Sequence, residues 1–311
     1  MATPENEFPD FSLDLVEKLF GRAQAAYIKK KNTGGRSTEK GISFEYLFAA
    51  HSVARLAQQC LVSGEDPVLK GQVCGYVDDL VINRNLHLRQ NAYQLKNSPT
   101  VSWVYGRHPI KEDFAYHFKL AHSMGYKDVR LRLVTSDAER RQALEANMPD
   151  ELKLYTKVIH FPFDEHINKL VTIEERLRDD FGYLSRNENY TADDAAIVAT
   201  MLIAAWIRCQ GTDRNTLLQI IETARECSPM LLRSLRSDED ARNQLSEQAK
   251  EILDNLEGFS YTITRGFFSW DAFGCSGFLS YDCFDPRFDK FQKLLIEKSP
   301  QTFDDIEGWL I

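Results

Sequence analysis

Apolar and polar positions change period along the chain, and the changes mark out its elements. From Phe11 to Ala26, Leu13, Val16, Leu19 and Phe20 recur at helical spacing, as do Phe44, Leu47, Phe48, Val53, Leu56 and Leu61 between Ile42 and Leu61. Gly64 to Pro67 breaks the second helix. Val73–Ile82 and Ala92–Leu95 are β-like runs joined by the polar segment Asn83–Asn91. Pro109–Met124 reads as a helix closing at Gly125. In Val129–Thr135 the side chains alternate: Val129, Leu131 and Leu133 fall on one face, Arg130, Arg132 and Val134 on the other. A short helix over Asp137–Ala146 and a strand over Tyr155–Phe163 follow. This order predicts an α/β fold, a mixed sheet flanked by helices.

Beyond about residue 165 the texture differs. Thr191 and Asp194 form a capping-box pattern before the apolar run Ala195–Ile207. Helices are expected over Thr212–Cys227 and Ser237–Leu256, then a small β-hairpin around Gly274 and Gly277, then helices over Arg287–Lys298 and Phe303–Leu310. Charge rises between Phe163 and Tyr190, so the expected division is 1–165 and 166–311, the second unit mainly α-helical.

Composition excludes several classes. With 43% apolar and 27% charged residues in 311, the chain is an ordinary globular protein. Its longest apolar run covers 13 residues, short of the roughly 20 that cross a bilayer. Met1–Asp10 is polar and acidic, unlike a secretory segment. The six cysteines show no C-x-x-C pair and no zinc-finger spacing, which predicts reduced thiols in the cytoplasm. None of the seven histidines stands in a metalloprotease or triad context, and no P-loop motif occurs.

A net charge of −8 runs against general affinity for nucleic acid, but its distribution matters more. Between Arg22 and Lys40 six basic residues face one acid, in a stretch containing Gly34-Gly35. Lys29, Lys30, Lys31, Arg36 and Lys40 are the expected DNA-binding residues, on a basic loop. Residues 238–257 carry seven acids against Arg242 and Lys250, a surface suited to protein contact rather than DNA.

The candidate chemistry lies in Tyr76-Val77-Asp78-Asp79-Leu80-Val81-Ile82 and Tyr93-Gln94-Leu95-Lys96. On a strand, Gln94 and Lys96 share a face, with Tyr93 and Leu95 opposite. If the two runs are neighbours, a carboxylate, an amide oxygen and an ammonium converge, a set able to hold a divalent metal and a water beside a phosphodiester. Asp78 and Asp79 point to opposite sides of a regular strand, so only one faces that set. Either Asp78 or Asp79 can be the one that does.

Gly41-Ile42-Ser43-Phe44-Glu45, Val77-Asp78-Asp79-Leu80-Val81 and Gln94-Leu95-Lys96-Asn97-Ser98 together resemble a PD-(D/E)xK nuclease core over residues 11–165. The resemblance is nearest to effector nucleases of bacterial anti-phage systems, the CBASS DNA-degrading domain and the Lamassu-type nuclease subunit, and more remote to Mrr-like restriction enzymes. It implies a restriction-endonuclease-like fold, Mg²⁺ or Mn²⁺ as cofactor, and metal-dependent cleavage of double-stranded DNA. Asp79, Gln94 and Glu45 would hold the metal, and Lys96 would steer the attacking water. Gln94 stands where the family usually has an acid, so the site has one negative charge fewer. The resemblance also implies a homo-oligomer and a separate ATPase or sensor subunit. Alternatives are a catalytically inactive nuclease-fold adaptor and an RNase on the same fold.

Overall fold

The computed structural model describes residues 12–34, 39–85, 88–106, 108–210 and 215–310. The chain opens with α1 (Leu13–Phe20), α2 (Arg22–Gly34) and α3 (Glu39–Ser63). Then come β1 (Val68–Gly71), β2 (Leu80–Arg84), β3 (Arg89–Lys96), α4 (Ile110–Ser123), β4 (Asp128–Thr135), α5 (Ala138–Ala146) and β5 (Thr156–His160). Helices α6 (Ile167–Ile173), α7 (Glu175–Gly182), α8 (Ala192–Cys209) and α9 (Leu217–Cys227) follow. The last part holds α10 (Asp238–Arg242), α11 (Glu247–Asp254), β6 (Phe259–Thr264), β7 (Phe267–Ala272), β8 (Cys275–Asp282), α12 (Pro286–Lys298) and α13 (Glu307–Leu310).

The first five strands form one mixed sheet in the order β1-β2-β3-β4-β5, so the α/β class holds. β1, β2 and β3 run antiparallel, and β3, β4 and β5 parallel. Both faces are covered. Leu80, Ile82, Leu95 and Val134 pack against α3 and α6–α9, whereas Val81, Ala92, Leu131 and Leu133 pack against Phe114, Ala121 and Leu144 of α4 and α5. The period of two therefore places alternate residues of one strand in two different cores. No helix among the described residues is long and apolar enough to cross a membrane. All six cysteines are free thiols.

Several expectations are corrected. The first helix is two, because Gly21 adopts φ 85°, a conformation natural to glycine, and its N–H closes on the Glu17 carbonyl. The expected basic loop is largely helical, as α2. Of Val73–Ile82 only Leu80 onward is strand, while Val73, Tyr76 and Val77 are buried from an irregular loop. The four-residue β1 was too short to register as a periodic signal. The single helix over 237–256 divides into α10 and α11, each with a serine N-cap, Ser237 and Ser246. The expected hairpin is a three-stranded sheet, β6-β7-β8. Its two tight turns, Arg265-Gly266 and Phe273-Gly274, have positive φ at both residues.

The apolar cores also do not divide at residue 165. One runs continuously from Phe44 to Leu232, joining α3, the sheet and α6–α9. A separate one gathers residues from Ala241 to Leu310 around β6-β7-β8. Polar contacts join them: Arg225 of α9 pairs with Asp282 of β8, and Arg186 lies 3.3 Å from the centre of the Phe278 ring.

The capping box of α8 is present, with Thr191 and Asp194 each accepting a backbone N–H of the other residue. Thr191→Ala removes one of these acceptors and is expected to cost about 1 kcal/mol. A thermal melt lowered by a few degrees checks this, and an unchanged melting temperature would contradict it.

Candidate metal and phosphodiester site

Leu80 of β2 lies opposite Tyr93 of β3, and the strands are antiparallel. The residue before Leu80 therefore falls beside Gln94, at the end of β3 where Lys96 emerges. There Asp79 is held from two sides. Its Oδ2 accepts the Leu95 backbone N–H at 2.6 Å and an N–H of the Gln94 amide. Lys96, Thr135 and His160 stand in register at the carboxyl ends of the three parallel strands, the edge of an α/β sheet where ligands commonly bind.

Glu45 comes from the first turns of α3. Its carboxylate accepts an N–H from the Gln72 amide at 2.8 Å. Burial and then the Asp79 charge push its carboxyl up to about 8, with the Lys96 ammonium opposing them. The Asp79 and Lys96 charges thus both reach Glu45 from the facing ends of β2 and β3. Asp78 is 3% exposed, and its charge also reaches Glu45, Cys74 and Tyr27. Of the two acids it is Asp79 that meets Gln94, the arrangement preferred from the sequence.

The basic residues are brought together only in part. Lys29 and Lys30 are exposed on α2. Lys31 and Lys40 belong to α2 and α3, but their side chains lie outside the described residues, as does the whole of Arg36. Helix α2 is tied to the site region. The Tyr27 hydroxyl donates to the Asp113 carboxylate at 3.0 Å, and the Tyr27 ring stacks on His108 at 3.6 Å. Ile28 packs with Tyr76, Val16 and Leu120. Burial, and then Asp113, raise the Tyr27 phenol far above its usual range.

One group of residues was missed from the sequence. The His117 Nδ1 accepts the Val77 N–H at 3.0 Å, and its other ring nitrogen meets the Gln90 Oε1 at 3.1 Å. The Gln90 amide in turn donates to the Asn83 Oδ1 at 3.1 Å. With Nδ1 accepting, Nε2 carries the proton. His117 and Gln90 are fully buried, so this chain fixes the loop that delivers Asp79 from beneath the sheet. Two signals were available. His117 shares a helical face with Asp113, Phe114, Leu120 and Ala121, all buried. Gln90 continues the polar face of Gln94 and Lys96 along β3.

The donor set fits a hard divalent cation in chemistry but not in number. Among the described residues no three His, Cys, Asp or Glu side chains close into a metal centre by themselves. Asp79 and Glu45 supply carboxylate oxygens and Gln94 an amide oxygen, the ligands preferred by Mg²⁺ and Mn²⁺ over zinc. The raised Glu45 carboxyl is compatible with this: burial is its first cause and the Asp79 charge its second, and a bound cation would offset both by favouring the ionised form.

That shift has a sign that can be tested. The carboxyl goes from an ordinary value of 4.5 to about 8 on folding. At pH 4 it is protonated in both states and costs nothing. Between these values only the unfolded chain ionises, so stability falls as pH rises, and the full cost stands above pH 8. Glu45→Gln is therefore expected to stabilise the metal-free protein by about 1–2 kcal/mol at pH 8.5, after discounting for solvent reaching the group, and to have no effect at pH 4. Urea unfolding at the two pH values decides it, and an equal effect at both would contradict it.

Comparison with known protein families, with curated proteins and with solved structures finds no match to this chain.

Proposed function

We propose that this chain is a Mg²⁺- or Mn²⁺-dependent DNA endonuclease, an effector of bacterial anti-phage defence. The observation that carries the reading is the seat of Asp79, held by the Leu95 N–H and the Gln94 amide at the end of β3 where Lys96 emerges, with the Glu45 carboxyl within electrostatic reach of both charges. Glu45, Asp79 and Lys96 are each half-buried, so their charges are only partly relieved by solvent. The order of Glu45, Asp79, Gln94 and Lys96 along the chain matches the PD-(D/E)xK pattern.

Asp79, Glu45 and, with its amide turned over, Gln94 would hold the ion. When bound, the ion lowers the pKa of a water and polarises a phosphoryl oxygen. Lys96 places its ammonium against the charge that develops on the phosphate, and orients the attacking water. Asp79 stays fixed by the Leu95 N–H, so its free oxygen keeps one direction. Lys29 and Lys30, exposed on α2, neutralise backbone phosphates entering the cleft. The acidic α10–α11 segment turns DNA away from the other end of the molecule and suits a separate ATPase or sensor subunit.

One observation favours a second reading, a nuclease-fold adaptor without turnover. The Gln94 amide donates to Asp79 and so occupies the oxygen that an acid at this position would leave to a cation. Incubation with supercoiled plasmid and with RNA, in Mg²⁺, in Mn²⁺ and in chelator, separates the readings. The expected result is nicking or linearisation of plasmid only with metal. Plasmid binding without cutting supports the adaptor, and cutting of RNA alone makes the chain an RNase.

A further inference from the structure

Helix α8 is buried on one side and bare on the other. Ala195, Val198, Ala199, Leu202, Ala205 and Trp206 fill the core shared with α3 and α9. The opposite face carries Asp193, Ile197, Thr200, Ala204, Ile207 and Arg208, all exposed, with half-buried Met201 beside them. Ile197 and Ile207 are 43% and 46% exposed. A surface helix normally sets charged residues on its wet face. Here the wet face carries none between Asp193 and Arg208.

The ends of this stripe have opposite charge, and its pattern is self-complementary. Laid antiparallel against an identical helix about a two-fold axis between Thr200 and Met201, Asp193 meets the partner's Arg208 and Ile197 meets the partner's Ala204. Both pairs have the same sum of positions, so one alignment satisfies both. Thr200 and Ala204 are small and permit close approach at the crossing. The Thr200 hydroxyl already donates to the Ala196 carbonyl, so no polar group is stranded there. Arg208 gives up little to reach across: its contact with Glu226 is long, at 4.0 Å, its other bond is a weak one to the Cys227 Sγ at 3.3 Å, and its side chain is more than half exposed. Beside the stripe a cavity of about 610 Å³, lined by Ile203, Ile207, Tyr46, Leu47, Phe163 and Ile167, offers apolar surface to a neighbour.

We propose that the exposed face of α8 is the interface of a homodimer, formed by two antiparallel α8 helices with Asp193 and Arg208 paired at each end. A two-fold contact presents the same patch from each subunit, as this stripe requires. The interface also adjoins the candidate site. Gln210, just past α8, accepts the Tyr46 hydroxyl at 3.5 Å, one residue from Glu45, and a Cβ on Gly71 would lie 3.0 Å from Trp206. Assembly would thus act on packing next to Glu45 and Gln72.

Sedimentation of the full chain over a range of concentrations tests this independently of any cutting. The wild type is expected to dimerise, and Ala204→Glu, a substitution that keeps good helix propensity, to weaken association at least tenfold. Asp193→Lys and Arg208→Glu alone are each expected to weaken it severalfold. The two together restore oppositely charged ends and are expected to recover most of the loss. Circular dichroism melts confirm that each variant is folded. A wild type monomeric at every concentration overturns the proposal, as does a dimer indifferent to Ala204→Glu. Loss in both single charge variants without rescue in the double overturns the antiparallel register.

Discussion

Replacing Lys96 with alanine is expected to lower metal-dependent DNA cleavage by about 10²–10³-fold, the range seen when one preorganised charge-stabilising group is removed. Lys96 is half-buried at the end of β3, where its charge already acts on Glu45. It stands in register with Thr135, which is buried, so it has a fixed neighbour on one side. Loss of its ammonium removes a positive charge that acts on Glu45. It leaves the backbone N–H of Leu95, and so the seat of Asp79, intact. The variant should therefore keep its fold and bind metal while losing turnover. Single-turnover cleavage of a plasmid at saturating Mg²⁺ measures the rate. A change of less than threefold would remove Lys96 from the chemistry.

His117→Ala has the second large expected effect, on stability. The ring is fully buried and joins the Val77 N–H to the Gln90 amide. Truncation leaves two buried polar groups without partners and a cavity under the sheet. Each unsatisfied group costs about 1–3 kcal/mol, and the lost packing adds to it, so a total of about 3–5 kcal/mol is expected. The damage should also be directional. Val77 lies two residues before Asp79, so loosening it frees the loop that carries the proposed metal carboxylate. Urea unfolding measures the stability and Mn²⁺ affinity the second effect. A loss below 1 kcal/mol would show that the buried side chains of Val73, Tyr76 and Val77 hold the loop without the histidine.

Periodicity located the strongly amphipathic pieces. The alternation in Val129–Thr135 became the two-faced β4, and the Thr191–Asp194 pattern became a real capping box. The failures share a physical cause, local apolar runs whose burial is decided by distant partners. Val73–Asp79 looks like a strand because it is apolar, yet its backbone is irregular and pairs with no strand among the described residues, its burial coming from α1, α2 and α4. The packing of α6–α9 against α3, across more than a hundred residues, likewise has no local signature. The hairpin around Gly274 was legible, whereas the turn at Arg265-Gly266 was hidden because its first residue lacks the usual Asn or Asp.

At the site, the neighbourhood of Asp79 with Gln94 and Lys96 was legible from strand period alone. The reach of Glu45 into it came from the family pattern. The supports, Gln72 under Glu45 and His117 under Val77, were not legible, because they lie on elements whose packing the sequence does not disclose.

The most direct test of the metal centre is calorimetric titration of the wild type and of Asp79→Asn with Mn²⁺ at pH 7, in two buffers of different ionisation enthalpy. At this pH a Glu45 carboxyl raised to about 8 is mostly protonated, so binding should release close to one proton. The expected result is one site in the wild type with that proton release, and loss of the site in Asp79→Asn. Binding that is absent in the wild type, or unchanged in Asp79→Asn, would contradict a metal centre built on Asp79 and Glu45.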